Sequence, residues 1–197
     1  MTRARDTLAT LRRWRWIALA AALCLGFLAF CVRIVPADAP GLSQPVTSTS
    51  VSNGPLLIPV EGVPASALVD TFAQSRAGGA REHDAIDIMA ARGRAVVAAA
   101  PGRIEKLFWS DAGGRTLYQR SADGRLVYYY AHLDAYAPGL REGQSIRRGQ
   151  RIATVGSTGN ASAQAPHLHF SVHEMAPGDR WYGGRAINPY PLLARTR

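Results

Sequence analysis

The sequence predicts a mainly β fold: an antiparallel β-sheet domain with few short helices, preceded by one amino-terminal transmembrane helix. Beyond Gly54, short apolar or alternating runs are separated by Gly and Pro turns at close spacing, which is typical of all-β domains. Asp123-Gly124 stands between two tyrosine-containing runs, and Asp-Gly tolerates the positive φ of a tight hairpin turn. Polar and apolar residues alternate strictly from His167 to Val172, as in a strand with one buried face.

The amino terminus has the features of a membrane anchor. Five arginines between Arg3 and Arg15 precede an apolar run from Trp16 to Val32, which is about the minimum length of a membrane-spanning helix. The positive-inside rule then places everything after this run across the membrane. Ala37-Asp38-Ala39 resembles a cleavage site, but Pro40 is a poor residue directly after a scissile bond, so we expect an uncleaved anchor.

These features predict four segments. They are a cytoplasmic basic segment (1–15), a transmembrane signal-anchor helix (16–33), a flexible linker rich in Pro, Ser and Thr (34–54) and one exported domain (55–197). Cys24 and Cys31 both lie inside the predicted span, so the exported domain has no disulfide.

Composition narrows the choice of partners. The chain has 197 residues, of which 47% are hydrophobic and 8% aromatic, and this excludes a polytopic membrane protein and a fully disordered chain. The net charge of +9 brings nucleic-acid binding into consideration. However, six arginines and two aspartates fall within residues 1–53, and no dense basic run follows them, so we expect no nucleic-acid partner.

Within the exported domain, turn signals delimit the elements. Pro101-Gly102, Asp111–Gly114, Asp123-Gly124 and Pro138-Gly139 close successive β-like runs, which are Arg94–Ala100, Arg103–Trp109, Thr116–Arg120 and Leu126–Leu133. Spaced apolar residues after a possible Ser66 cap predict one helix over Ser66–Gln74.

Three runs contain four of the five histidines. A strand over 83–88 would place His83 and Asp87 on one face, and the alternation at 167–172 places His167 and His169 on one face. In the third run, Leu126, Tyr128, Tyr130 and His132 would share a face. Taken singly, each run is also compatible with histidines on a solvated face, and His132 with a half-buried histidine bonded to a carbonyl. Together they supply what a catalytic zinc site requires: three ligands, an open fourth position and a nearby acid or base.

The order of these motifs resembles the lysostaphin-like (LytM-type) zinc metallopeptidases, which cut peptidoglycan cross-links. The resemblance runs from about Ile58 to Val172 and rests on four motifs: His83-x-x-x-Asp87, Tyr130-Ala131-His132-Leu133, Gly156-Ser157-Thr158-Gly159 and His167-Leu168-His169-Phe170. The chain departs from the family at Ala85, where glycine is frequent.

The resemblance implies a role for each site residue. It implies that one Zn²⁺ ion is held by His83, Asp87 and His169, and that His132 and His167 form the catalytic pair that activates the zinc-bound water. It further implies an endopeptidase that acts on peptidoglycan stem peptides, which an accessory protein could regulate. The single predicted span indicates a Gram-negative inner-membrane protein with its catalytic domain in the periplasm, and in that setting the cleaved bond is the one between D-alanine and diaminopimelate. His173 has no counterpart among the motif residues, and we expect it to be exposed or structural.

Two other functions stay open. Relatives with this fold that have lost zinc ligands serve only as activators of cell-wall amidases, although every ligand is present here. A zinc peptidase that acts on protein substrates is the second alternative.

Overall fold

The structure is a computed structural model that describes residues 56–76, 78 and 81–194. The predicted basic segment, anchor helix and linker lie outside this range. Within the described range, no helix is both long and apolar enough to cross a membrane.

Antiparallel strands are the main regular structure of the described residues, which confirms the predicted mainly β fold with few short helices. The strands are β1 (Ser75–Arg76), β2 (Arg81–Glu82), β3 (Ile86–Met89), β4 (Ala95–Val97), β5 (Gly102–Ser110), β6 (Gly114–Ser121), β7 (Leu126–Tyr136), β8 (Ser145–Ile146), β9 (Arg151–Val155), β10 (His167–Glu174) and β11 (Arg185–Ile187). A 3₁₀ turn (Ala65–Ala67) precedes them, and a one-turn helix α1 (Tyr190–Leu193) follows.

The large sheet has nine strands among the described residues. Its main path runs β11-β10-β7-β6-β5-β8, with β3 paired to β10 and with β9 paired to both β7 and β4. Strands β1 and β2 form a separate two-stranded sheet. The predicted hairpin turn is confirmed: Gly124 has φ +76° and donates its N–H to the carbonyl of Ser121, so that β6 turns directly into β7.

The core packs against one face of the strands that carry the histidine motifs. Its largest fully buried side chains on these strands are Ile86, Tyr128, Tyr130, Leu133, Leu168 and Phe170. The buried Tyr130 hydroxyl donates to Gln119 Oε1 (2.7 Å) and accepts from the Ala99 N–H (3.0 Å). Because these buried polar groups are all hydrogen-bonded, this face of β7 can lie in the core, and the other face borders a groove.

The predicted helix over Ser66–Gln74 is wrong. Only the 3₁₀ turn forms, and two local features stop a helix from continuing. The Asp70 carboxylate accepts the Phe72 N–H (3.1 Å), a local bond that competes with helical pairing, and Ala73 takes a left-handed backbone at φ 59°. The chain from Thr71 to Arg76 instead leads into β1, beside the candidate site.

Candidate metal centre

Strand β10 brings the histidine motifs together because it lies between β3 and β7. His169 stands opposite Asp87 of β3 on one side and opposite Ala131 of β7 on the other. The alternation on β10 is as predicted: Leu168, Phe170 and Val172 are fully buried, while His167 and His169 face a groove.

That groove has a volume of about 680 Å³ and is lined by all five residues that the sequence singled out. They are His83, Asp87, His132, His167 and His169. Residues 86 positions apart in the chain therefore meet in one cavity.

Three of the five side chains place their donor atoms at the corners of a small triangle. His83 Nε2 lies 3.0 Å from His169 Nδ1, and each of these atoms lies 3.2 Å from Asp87 Oδ1. Ligands held about 2.0–2.1 Å from a tetrahedral zinc ion stand about 3.3 Å apart. Two imidazole nitrogens and one carboxylate oxygen at this separation therefore fit a zinc ion.

Two residues that no sequence motif indicates, Thr71 and Arg76, contact these side chains on the side away from the triangle. The Thr71 carbonyl lies 2.8 Å from His83 Nδ1, and Thr71 Oγ1 accepts the Asp87 N–H (2.9 Å). Arg76 Nη2 donates to Asp87 Oδ2 (2.7 Å). Their contacts depend on how the chain folds back before β3, and no spacing rule in the sequence marks them.

His132 reaches the groove by a route that alternation does not predict. Between Tyr130 and Leu133, β7 carries one more residue than the paired stretch of β6, and His132 takes a left-handed backbone at φ 59°. The predicted common face for Tyr128, Tyr130 and His132 is therefore wrong: both tyrosines are in the core, while the bulge turns His132 into the groove.

Both remaining imidazoles are oriented by backbone carbonyls. His132 Nδ1 lies 2.8 Å from the Thr158 carbonyl, and His167 Nδ1 lies 2.8 Å from the Ala165 carbonyl. A carbonyl can only accept, so each Nδ1 carries a proton, and Nε2 is the nitrogen of each ring that can offer a lone pair. The two rings lie edge to face with centroids 4.9 Å apart.

Electrostatics favour an ionised Asp87 carboxylate and neutral rings at His169 and His132. Burial alone would raise the pKa of Asp87, but its hydrogen bonds to His169 and His83 outweigh this and hold the pKa far below its usual range. Burial lowers the pKa of His169 despite its bond to Asp87, and it lowers the pKa of His132 to about 4 despite the bond to the Thr158 carbonyl. A carboxylate and neutral imidazoles are the ligand forms that a metal ion requires.

A second cavity of about 230 Å³ adjoins the groove and shares Asp84, Tyr129 and His169 with it. His173 lies in its wall, half-buried, with Nε2 2.9 Å from Ser171 Oγ. The expectation that His173 is structural or exposed agrees with this place outside the ligand triangle. Tyr118, Trp181 and Tyr182 form an aromatic side of the cavity, and Trp181 lies edge to face with Tyr118 at a centroid distance of 4.6 Å.

A His, Asp and His group beside two further imidazoles, on an antiparallel β-sheet, is an arrangement that mononuclear metallohydrolases use. The sequence profile of peptidase family M23 matches residues 81–189, more than half of the chain. The chain belongs to peptidase family M23, and the lysostaphin-like resemblance of its motifs is thereby confirmed.

Similar proteins include both peptidases and activators. The chain is 33% identical over 121 residues to an L-Ala–D-Glu endopeptidase of Bacillus subtilis, covering 59% of this chain and 36% of that protein. It is 32% identical over 126 residues to the murein hydrolase activator NlpD of Escherichia coli, covering 64% of this chain and 29% of that protein. The match thus spans about a third of the length of each relative.

Solved structures show the same fold. The catalytic domain of lysostaphin from Staphylococcus simulans aligns with a TM-score of 0.54 at 28% identity, over 64% of this chain and 90% of that one. Helicobacter pylori Csd3 aligns with a TM-score of 0.56 at 27% identity, over 73% of this chain and 36% of that one.

Proposed function

We propose that this chain is a zinc metallo-endopeptidase that hydrolyses peptide cross-links in peptidoglycan. One observation carries the proposal: three side chains each place one donor atom 3.0–3.2 Å from the other two, and two further imidazoles line the same groove. His83, Asp87 and His169 are the proposed zinc ligands, and His132 and His167 are the proposed catalytic pair.

The two catalytic imidazoles are suited to moving a proton at Nε2. When bound, zinc supplies Lewis-acid chemistry, polarising a carbonyl and lowering the pKa of the water it holds to about 7. Because Nδ1 of His132 and of His167 is bound to a carbonyl, only Nε2 of each ring can take a proton from the attacking water. A ring that has gained this proton becomes a donor, and it can then stabilise the developing oxyanion or protonate the leaving amine.

The substrate class rests on the relatives and on the form of the groove. Two similar proteins are named as an L-Ala–D-Glu endopeptidase and an antimicrobial peptidase. The adjoining cavity continues the groove beyond His169, so there is room for residues on both sides of a scissile bond. The bond between D-alanine and diaminopimelate is the one we propose.

A second candidate function is activation of a cell-wall amidase without catalysis. The similarity to NlpD, which is named as a murein hydrolase activator, favours it. An activator needs no complete ligand triangle, whereas this chain has one, and we therefore prefer the peptidase.

Peptidoglycan products formed by the purified chain test this choice. We expect new uncross-linked peptides in the mass spectrum of purified sacculi, and none from a chelated sample or from His169→Ala, which loses a ligand. His132→Asn is the matched variant: Asn can still donate to the Thr158 carbonyl and tolerates φ 59°. It should keep zinc yet lose about 10²–10⁴-fold in rate. A zinc-loaded wild-type chain that makes no product would favour the activator.

We also propose that residues 16–33 anchor the chain in the inner membrane as a single span, with residues 34–54 as a linker and 55–197 as a periplasmic domain. The full chain should then pellet with membranes and withstand a high-salt wash, because burial of an apolar helix is insensitive to ionic screening. The control is residues 55–197 exported by a cleavable signal, which should be soluble. Release of the full chain by salt would contradict the anchor.

A further inference from the structure

The two carboxylate oxygens of Asp87 have different partners. Oδ1 faces the imidazoles of His83 and His169 at 3.2 Å, whereas Oδ2 accepts a hydrogen bond from Arg76 Nη2 at 2.7 Å. The backbone N–H of Asp87 is held by Thr71 Oγ1. One oxygen of the carboxylate thus belongs to the triangle of donor atoms, and the other binds the guanidinium.

Arg76 makes only half of the contact that a guanidinium normally makes with a carboxylate. Arginine and carboxylate commonly pair through two parallel hydrogen bonds. Here Arg76 Nε is buried and has no hydrogen-bond partner. A bidentate pair would satisfy Nε, but it would draw Oδ1 of Asp87 away from the two imidazoles. The unpaired Nε therefore indicates a geometry in which Oδ1 of Asp87 is left to contact the imidazoles of His83 and His169.

The same guanidinium bears on the tautomer of His83. Nδ1 of His83 lies 2.8 Å from the Thr71 carbonyl and 3.0 Å from Arg76 Nη2. A carbonyl only accepts and a guanidinium only donates, so the two neighbours favour opposite tautomers. The Thr71 bond leaves the lone pair on Nε2, where a metal can bind, while a bond from Arg76 would place the proton there. The Thr71 carbonyl is the nearer of the two neighbours, so the bond from Nδ1–H to Thr71 is the favoured one.

We propose that Arg76 is a positioning residue of the metal centre. By binding Asp87 only through Oδ2, it presents Oδ1 as a single ligand atom and leaves His83 in the tautomer that binds metal through Nε2. This inference rests on the ligand set of the proposed function, but it does not depend on the substrate or on hydrolysis.

The zinc affinity of the full-length chain tests the proposal directly. Arg76→Met keeps the aliphatic length and removes the donors, and we expect its zinc Kd, measured by competition with a chromophoric chelator, to rise about 10–100-fold. Arg76→Lys retains one donating cation and should recover part of the affinity. The matched control is Arg185→Met, because Arg185 also pairs with a strand carboxylate, that of Glu174, but on the exposed surface. Its Kd should not change.

A spectroscopic readout separates positioning from a general loss of structure. The visible absorption of Co²⁺ bound in place of zinc reports the number and arrangement of ligands. It should change in Arg76→Met and stay as wild type in Arg185→Met. An unchanged spectrum with a Kd within about twofold of wild type would overturn the proposal. So would a wild-type chain that binds no zinc, or an Arg76→Lys variant that folds yet binds no better than Arg76→Met. If Arg76→Met does not fold, the Lys variant must still bind more weakly than wild type.

Discussion

His132 owes its place in the groove to an unfavourable backbone conformation. A non-glycine residue at φ 59° costs on the order of 1–3 kcal/mol and persists only where its surroundings fix it. The His132 N–H donates to the Gly113 carbonyl (2.8 Å), and its Nδ1–H donates to the Thr158 carbonyl (2.8 Å). Two loops therefore hold the residue in this conformation, as expected where orientation of a ring matters more than local stability.

Burial of neutral His132 makes the stability of the metal-free domain depend on pH. The pKa of His132 falls from its ordinary value of 6.5 to about 4 on folding. The unfolded chain therefore binds more protons in this window, so stability is full above pH 6.5 and is lost as the pH falls toward 4. With this shift, the loss between pH 7 and pH 5 is about 2 kcal/mol.

Urea unfolding at the two pH values, with chelator present, measures this loss. In His132→Asn, which does not titrate, the loss should be about 2 kcal/mol smaller than in wild type. His169 and His173, whose pKa values burial also lowers, supply the part that remains in both proteins. Equal pH dependence in the two proteins would show that His132 is not buried in its neutral form.

Much of the sheet could be predicted because its strands obey simple alternation between strong turns. The predicted runs Arg103–Trp109 and Thr116–Arg120 fall within β5 and β6, and the pattern of β10 gives its buried face correctly. The face of β7 could not be predicted, because nearly every residue from Leu126 to Leu133 is apolar or aromatic. In such a run a one-residue bulge leaves no trace in the pattern.

The residues that form the candidate metal centre could be predicted, but those that support them could not. His83, Asp87 and His169 are chemically distinctive and lie in recognisable motifs, and the structure brings them together. Thr71 lies in the segment whose helical pattern misled the prediction, and Arg76 lies just beyond it. Asp70 and Ala73 impose a local conformation there that tertiary contacts then use. Propensity is a weak guide wherever such contacts decide.

Two loops around His132 approach each other so closely that only glycine fits. A Cβ on Gly159 would lie 2.3 Å from the backbone N of Gly114 and 2.4 Å from the carbonyl oxygen of Ala112. Thr158, the preceding residue, supplies the carbonyl that orients His132. A displacement of this loop should therefore move a catalytic ring as well as strain the fold.

Gly159→Ala and Gly139→Ala form a matched pair for testing this contact. Both glycines have φ +73°, but no atom lies within 4 Å of a Cβ placed on Gly139. Both variants should be destabilised by strain at this positive φ. Gly159→Ala should lose roughly 1–3 kcal/mol more of its free energy of unfolding, because its Cβ also overpacks the site. We also expect its rate of wall hydrolysis to fall on the order of 10²-fold, with Gly139→Ala near wild type. Equal denaturation midpoints and rates in the two variants would argue against the close approach.

At the scale of the whole domain, the site lies where distant parts of the chain meet. The central strand β10 supplies His169, while His83 and Asp87 come from the chain that leads into and through β3. In metal-free protein, Oδ1 of Asp87 lies 3.2 Å from a ring nitrogen of His83 and from one of His169, with no covalent link between them. An ion bound by all three would tie β3 to β10 by coordination as well as by the sheet.

Zinc should accordingly raise the thermal stability of the domain, because the unfolded chain cannot present three ligands in this arrangement. A ligand that binds only the folded state at 1,000 times its Kd stabilises by about 4 kcal/mol, which corresponds to a rise in Tm on the order of 10 °C. Calorimetry with zinc and with chelator measures this difference. His169→Ala should lose it, because a ligand is missing. His173→Ala, on the same strand but outside the triangle, should keep it even if its own Tm is lower. If zinc raised the Tm of His169→Ala as much as that of wild type, the ion would be binding elsewhere, and the assignment of His83, Asp87 and His169 as ligands would have to be abandoned.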